Sequence, residues 1–100
     1  VCTDRALDFI DRNQSRPFLC YIPFTTPHSP WAAPAKNWDE YRSRPVTQPA
    51  TLANQENPDE TRCALAMVEN QDANVGRVLK KLDDLKLGDN TIVLYFSDNG

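Results

Sequence analysis

Two short polar clusters, each directly behind an apolar run, are the parts of this 100-residue sequence best suited to chemistry. The first is Thr25-Thr26-Pro27-His28-Ser29-Pro30-Trp31, which holds the chain's one histidine between two prolines that restrict the backbone on either side. An imidazole here could move a proton near neutral pH, because small changes of environment carry its titration across that range. The second is Ser97-Asp98-Asn99-Gly100, where Asp98 and Asn99 offer hard oxygen donors of the type that suits Ca²⁺ or Mg²⁺. Each cluster has a plainer reading. A lone histidine is by default a surface or packing residue. Asp-Asn-Gly is good turn chemistry, and taken alone that stretch reads first as a turn.

Position moves both clusters away from those defaults. Phe18–Phe24 and Thr91–Phe96 are continuous runs of aliphatic, β-branched and aromatic residues, interrupted only by Pro23. Such runs read as strands buried on both faces, as parallel strands in α/β proteins are. Pro23 cannot donate to a ladder, so pairing is expected to stop or bulge there. Ligands of open α/β sheets sit beyond the carboxyl ends of the strands. The two strands are therefore expected to run parallel in one sheet, with His28, Asp98 and Asn99 at the same rim.

The remaining elements follow from periodicity. Ala6, Leu7 and Ile10 predict a helix from about Asp4 to Arg12, with Thr3 as its N-cap and Asp4 in its first turn. Ser29 to Pro58 shows little periodicity and holds most of the chain's eight prolines. A structureless stretch of roughly 30 residues exceeds the usual loop length and reads as a functional excursion or lid. Trp31, Trp38 and Tyr41 would anchor it by packing, with pocket lining the second reading. Thr61 to about Leu85 reads as a long helix, with Leu65, Val68, Val75, Leu79 and Leu82 spaced by three and four. Asp72 fills the gap in that stripe. A carboxylate there is costly unless hydrogen-bonded, so Asp72 is expected to be buried and satisfied, tying the helix to a neighbouring loop; catalysis is the minority reading. Lys80, Lys81, Asp83 and Asp84 read as the solvated face, and Gly88-Asp89-Asn90 as the turn into the final strand.

Helix, strand, long loop, helix, strand is the order of two α/β units within a larger sheet, so the fold class is α/β. Two strands cannot build that sheet alone. The chain begins with Val and stops just after a strand, and residues 1–100 read as an excerpt of one domain, truncated at both ends. A net charge of −3 with 25% charged residues leaves no basic footprint for nucleic acid. No apolar run approaches the roughly 20 residues of a membrane-spanning helix. Cys2, Cys20 and Cys63 are an odd number without Cys-x-x-Cys spacing, and Cys20 and Cys63 read as small core residues. Asn13-Gln14-Ser15 matches the N-glycosylation sequon, which matters only in a secretory pathway.

Several blocks also resemble a family. Thr3-Asp4-Arg5-Ala6-Leu7-Asp8-Phe9-Ile10, Arg16-Pro17-Phe18-Leu19 and Thr26-Pro27-His28-Ser29-Pro30-Trp31 resemble the middle of a type I sulfatase catalytic domain. The stretch from Ala66 to Leu79 and the end from Asp89 through Ser97-Asp98-Asn99-Gly100 resemble it further on. The resemblance implies an alkaline-phosphatase-like α/β/α sandwich with a central, largely parallel sheet, and hydrolysis of sulfate esters by a formylglycine. It matches His28 to the histidine that contacts the substrate and assists the leaving group. It matches Asp98 and Asn99 to the second pair of metal ligands, usually for Ca²⁺ or else for another divalent cation.

The formylglycine motif, Cys-x-Pro/Ala-x-Arg, is absent: Cys20 is followed by Tyr21-Ile22-Pro23-Phe24, and the other cysteines fit no better. The nucleophile, the first aspartate pair and the other sulfate-binding residues are thus expected outside this chain. Gln71 stands where the family commonly has Met, and Lys86 where a Gly often ends the helix; neither is expected to touch a site residue. Two rivals stay open: a phosphodiesterase or phosphonate monoester hydrolase of the same superfamily, and a non-catalytic relative that keeps the fold as a binding module. The implied partner is a sulfate ester, and the implied compartment is periplasmic, secreted or lysosomal. The excerpt by itself is expected neither to fold stably nor to hydrolyse sulfate esters.

Overall fold

Three helices make up most of the computed structural model, which describes residues 2–47 and 57–98. They are α1 (Cys2–Asn13), α2 (Ala35–Tyr41) and α3 (Pro58–Asp84), followed by a 3₁₀ turn at Gly88–Asn90. The chain divides into two compact units, Val1–Ile22 with Gly76–Gly100, and Pro23–Val75. Helix α3 contributes to both. No helix among the described residues is long and apolar enough to cross a membrane.

In the first unit, α1 buries Thr3, Ala6, Ile10 and Asn13, a spacing of three, four and three that keeps one face inward. Thr3 is not the N-cap: the helix begins at Cys2 and Thr3 is buried on its packed face. The Phe9 ring meets Phe18 edge to face, with centroids 5.9 Å apart and planes at 86°. Two ion pairs join α1 to the C-terminal part of α3, Arg77 to Asp4 at 2.6 Å and Lys81 to Asp11 at 2.9 Å. The Arg77 hydrogen bond holds the Asp4 carboxyl below its ordinary range. Pairs this exposed are screened by solvent, so they select the partner more than they hold the fold. Lys81 is therefore not part of a purely solvated face; Lys80 is, pairing with Asp84 one turn on at 2.8 Å.

Asn13 uses its whole side chain internally. Its Nδ2 donates to the Phe9 carbonyl at 2.7 Å, and its Oδ1 accepts from Arg16 Nε and Nη2 at 2.9 and 2.6 Å. The sequon nitrogen is thus committed to closing the end of α1.

The two apolar runs are neither helical nor turned. From Phe18 to Ile22 exposure alternates: Phe18, Cys20 and Ile22 are half-buried, while Leu19 and Tyr21 are 90% and 76% exposed. That period of two is the strand periodicity. From Ile92 to Phe96, by contrast, every side chain is exposed, between 52% and 89%. Among the described residues neither run pairs in a ladder.

In the second unit, the stretch expected to lack structure contains α2. Its first turn closes with the Trp38 N–H on the Pro34 carbonyl at 3.0 Å, without a side-chain cap. A seven-residue helix is marginal by itself and needs tertiary contacts. These include Asn70 Nδ2 donating to Asn37 Oδ1 at 3.4 Å. Just beyond α2, Arg62 Nε donates to the Arg44 carbonyl at 2.9 Å. The Arg44 guanidinium lies 4.3 Å from the centre of the Tyr41 ring. Residues 48–56, part of the expected lid, lie outside the described residues.

Helix α3 begins at Pro58, before the expected Thr61, because Pro is pre-organised for the first helical position. Asn57 Oδ1 caps it by accepting from the Asp59 N–H at 3.0 Å. Its packed face matches the expected one only in part, at Leu82 and at the half-buried Val75. Ala66, Met67 and Leu82 are buried, and Cys63, Asn70, Gln71 and Asn74 are half-buried. Leu65, Val68 and Leu79 of the expected stripe are instead 44%, 46% and 42% exposed. Asp72 is exposed too, not a buried acceptor. The reason is that the inward amides have partners: Asn74 Nδ2 donates to the Asn70 carbonyl at 2.8 Å, and Asn70 reaches Asn37. Hydrogen-bonded polar groups can occupy a packed face, which a purely hydrophobic pattern does not register.

The end of α3 is a Schellman cap. Leu87 N–H bonds the Leu82 carbonyl at 2.8 Å and Lys86 N–H the Asp83 carbonyl at 2.9 Å. Lys86 takes the left-handed conformation, at φ 57°. That conformation costs a residue with a Cβ about 1–2 kcal/mol. Glycine there would return part of this as unfolded-state entropy, about 0.5–1 kcal/mol. Lys86→Gly should therefore stabilise the full-length protein by roughly 0.5–1 kcal/mol in urea unfolding. A clear loss of stability would mean that the cap does not depend on this geometry.

Candidate functional site

His28 is exposed, and its backbone is flanked by prolines; the Thr26–Pro27 and Ser29–Pro30 bonds are both cis. The ring is held from its own side of the loop. Its Nδ1 lies 2.7 Å from the Ser29 carbonyl oxygen. A carbonyl can only accept, so Nδ1 carries the hydrogen and the neutral ring presents Nε2 as a lone pair. Once protonated, Nε2 is a proton donor.

The segment before His28 is anchored to α3. The Thr26 hydroxyl donates to Gln71 Oε1, a bond that spans 45 residues and is partly buried. Both residues belong to the unit Pro23–Val75. Gln71, expected to touch no site residue, accepts a hydrogen bond from Thr26, two positions before His28 in the sequence. A polar residue three positions before Asn74, on a helix otherwise rich in aliphatic residues, was the available signal.

The same unit has an open groove of about 380 Å³ that is lined by Trp31, Trp38, Asp59, Glu60 and Cys63, among others. Trp31 lies three residues after His28, which bounds their Cα separation at roughly 11 Å. The two indoles thus line a concavity, Trp38 half-buried and Trp31 exposed. Asp59 at its rim is already paired with Arg62 at 2.7 Å.

Asp98 belongs to the other unit, where it ends the apolar run and is exposed. Asn99 lies outside the described residues. An exposed carboxylate directly behind a strand-like run has the right donor chemistry for a hard cation. Calcium takes 6–8 oxygens, however, and among the described residues no group of three or more His, Cys, Asp or Glu side chains is placed to hold a metal. This segment fits a metal site as a contributor of ligands and does not form one alone. Cys20 and Cys63 are free thiols, half-buried and not core residues in the full sense. Burial pushes the Cys20 thiol up, which keeps it neutral and a poor nucleophile.

Comparison with known proteins agrees along the whole chain. Residues 1–100 match the family model described as Sulfatase. The chain is 34% identical over 100 residues to the uncharacterized sulfatase YdeN of Escherichia coli (strain K12), covering 98% of this chain and 16% of that protein. It is 33% identical over 102 residues to the N-acetylgalactosamine-6-sulfatase of Canis lupus familiaris, covering 100% of this chain and 16% of that enzyme. An uncharacterized sulfatase of Schizosaccharomyces pombe is 30% identical over 127 residues, covering 90% of this chain and 23% of that protein. No solved structure matches significantly.

Proposed function

Because the chain belongs to the sulfatase family, we propose that the full-length protein hydrolyses sulfate esters and that this segment supplies its leaving-group acid and part of its metal site. The observation that supports the reading is the His28 ring, whose Nδ1–H is committed to the Ser29 carbonyl, which leaves Nε2 as the nitrogen available for proton transfer. Cleaving the ester S–O bond leaves negative charge on the departing oxygen. His28 Nε2–H donates its proton to that oxygen as the bond breaks, and the ring is reprotonated before the next turnover.

Asp98 and Asn99 would hold a divalent cation, for which Ca²⁺ is the best match to their hard oxygens, together with ligands from beyond this segment. When bound, such a cation stabilises charge that develops on the sulfate oxygens. The nucleophile, a formylglycine in this reading, comes from outside residues 1–100, since none of the three cysteines sits in the required motif. The two apolar runs take their place as neighbours in a central, largely parallel sheet of an α/β/α sandwich. The alternating exposure at Phe18–Ile22 and the bare apolar side chains of Ile92 and Leu94 support that placement.

His28→Ala in the full-length enzyme should lower kcat by about 10²–10⁴-fold on sulfate esters of weakly acidic alcohols. The loss should shrink on aryl sulfates with acidic phenols, while metal content and thermal stability stay unchanged. A loss independent of the leaving group would assign His28 to sulfate binding instead.

Asp98→Ala and Asn99→Ala should each lower the bound Ca²⁺ measured by elemental analysis and remove the rise in Tm that Ca²⁺ gives, since a ligand of the folded state stabilises it. Full metal content in both variants would disprove the ligand assignment.

A further inference from the structure

We propose that Gln71 is a positioning residue for His28, acting through the hydrogen bond that it accepts from Thr26. The proposal rests on the reading of His28 as the leaving-group acid. Its physical basis is the short path between anchor and ring. Only Pro27 separates Thr26 from His28, so their Cα atoms lie within about 7 Å of each other. Pro27 has its φ fixed by its ring, which leaves few free dihedrals between the anchored hydroxyl and the imidazole.

The anchor itself stands on a rigid element. Gln71 is in the interior of α3, well away from either end of that helix. It is half-buried on the packed face, as is Thr26 in the loop, so water competes poorly for the bond. The neighbouring amides of that face are engaged elsewhere, Asn70 with Asn37 and Asn74 with the Asn70 carbonyl. On its other side the ring is tied to the Ser29 carbonyl. His28 is exposed and has no packing collar of its own, so these two hydrogen bonds set where Nε2 points. An acid misplaced by about 1 Å loses on the order of 10²-fold in rate.

The test uses full-length enzyme and steady-state kinetics on two sulfate esters, one with an acidic phenol and one with a weakly acidic alcohol. Gln71→Met keeps side-chain length but removes the acceptor, and Thr26→Val removes the donor. Each should lower kcat on the poor leaving group roughly 10- to 100-fold. KM should be nearly unchanged, and the loss on the acidic phenol smaller. The double variant should be no worse than either single one. Thr26→Ser and Gln71→Glu, which keep the hydroxyl donor and an oxygen acceptor, should recover most of the rate. In a His28→Ala background, Gln71→Met should have no further effect.

A Gln71→Met loss that persists in the His28→Ala background, or that is equal for both esters, would overturn the proposal and leave Gln71 a merely structural residue. Unchanged kcat in Gln71→Met, alongside a normal His28→Ala loss, would overturn it while sparing the His28 reading. If His28→Ala itself shows no dependence on the leaving group, the His28 reading fails and the proposal with it. Should Gln71→Met not fold, Thr26→Val carries the same comparison from the loop side.

Discussion

The packed face of α3 is the constraint on which the rest of the described structure depends. A helix of 27 residues is about 40 Å long and satisfies its own backbone, which leaves its side chains to decide what it holds. Each unit is tied to its own part of this helix by polar contacts. In one unit the bonds run from Gln71 to Thr26 and from Asn70 to Asn37. In the other they run from Arg77 to Asp4 and from Lys81 to Asp11. Apolar contact from Ala66, Met67 and Leu82 supplies burial, which is non-directional. The amide and charge contacts supply direction, since a hydrogen bond weakens steeply when its geometry is lost.

That division explains how an exposed histidine can still have a defined orientation. Burial does not hold His28, and no carboxylate among the described hydrogen bonds orients it. Its tautomer follows from a neighbouring carbonyl, and its backbone from a hydroxyl two residues earlier that is tied to the helix. A ring arranged in this way keeps Nε2 open to a substrate without being shielded from water by its own segment. The chain spans 16–23% of the relatives reported above.

The apolar runs show the same dependence on outside partners. Leu19, Tyr21, Ile92 and Leu94 are between 76% and 90% exposed. Runs of this kind beside unpaired backbone groups are templates for pairing and are normally covered. In the proposed sheet they are covered on both faces, which is why their sequence shows no inside-outside alternation even though one run alternates in exposure against α1.

The sequence by itself determined what depends on near neighbours along the chain. The existence of α1 and α3 followed from three- and four-residue periodicity, and the turn at Gly88–Asn90 from its glycine and short polar side chains. The order of the Thr3, Pro27-His28, Asp72 and Asp98-Asn99-Gly100 blocks carried the sulfatase resemblance that the family match bears out. Tertiary structure decided which face of α3 is packed, because its amides are satisfied by residues 33 and 45 positions away. For the same reason Asp72, Leu65, Val68 and Leu79, read as inward, are exposed, whereas Val75 and Leu82 of the same stripe are covered as expected. Helix α2 was invisible because seven residues without a side-chain cap form a helix only when something distant holds them. His28 was legible as a residue type in a promising place. Which ring nitrogen meets the backbone was not, because a tautomer is fixed by the atom that the other nitrogen meets, and the Ser29 carbonyl lies 2.7 Å from Nδ1 only in the folded loop.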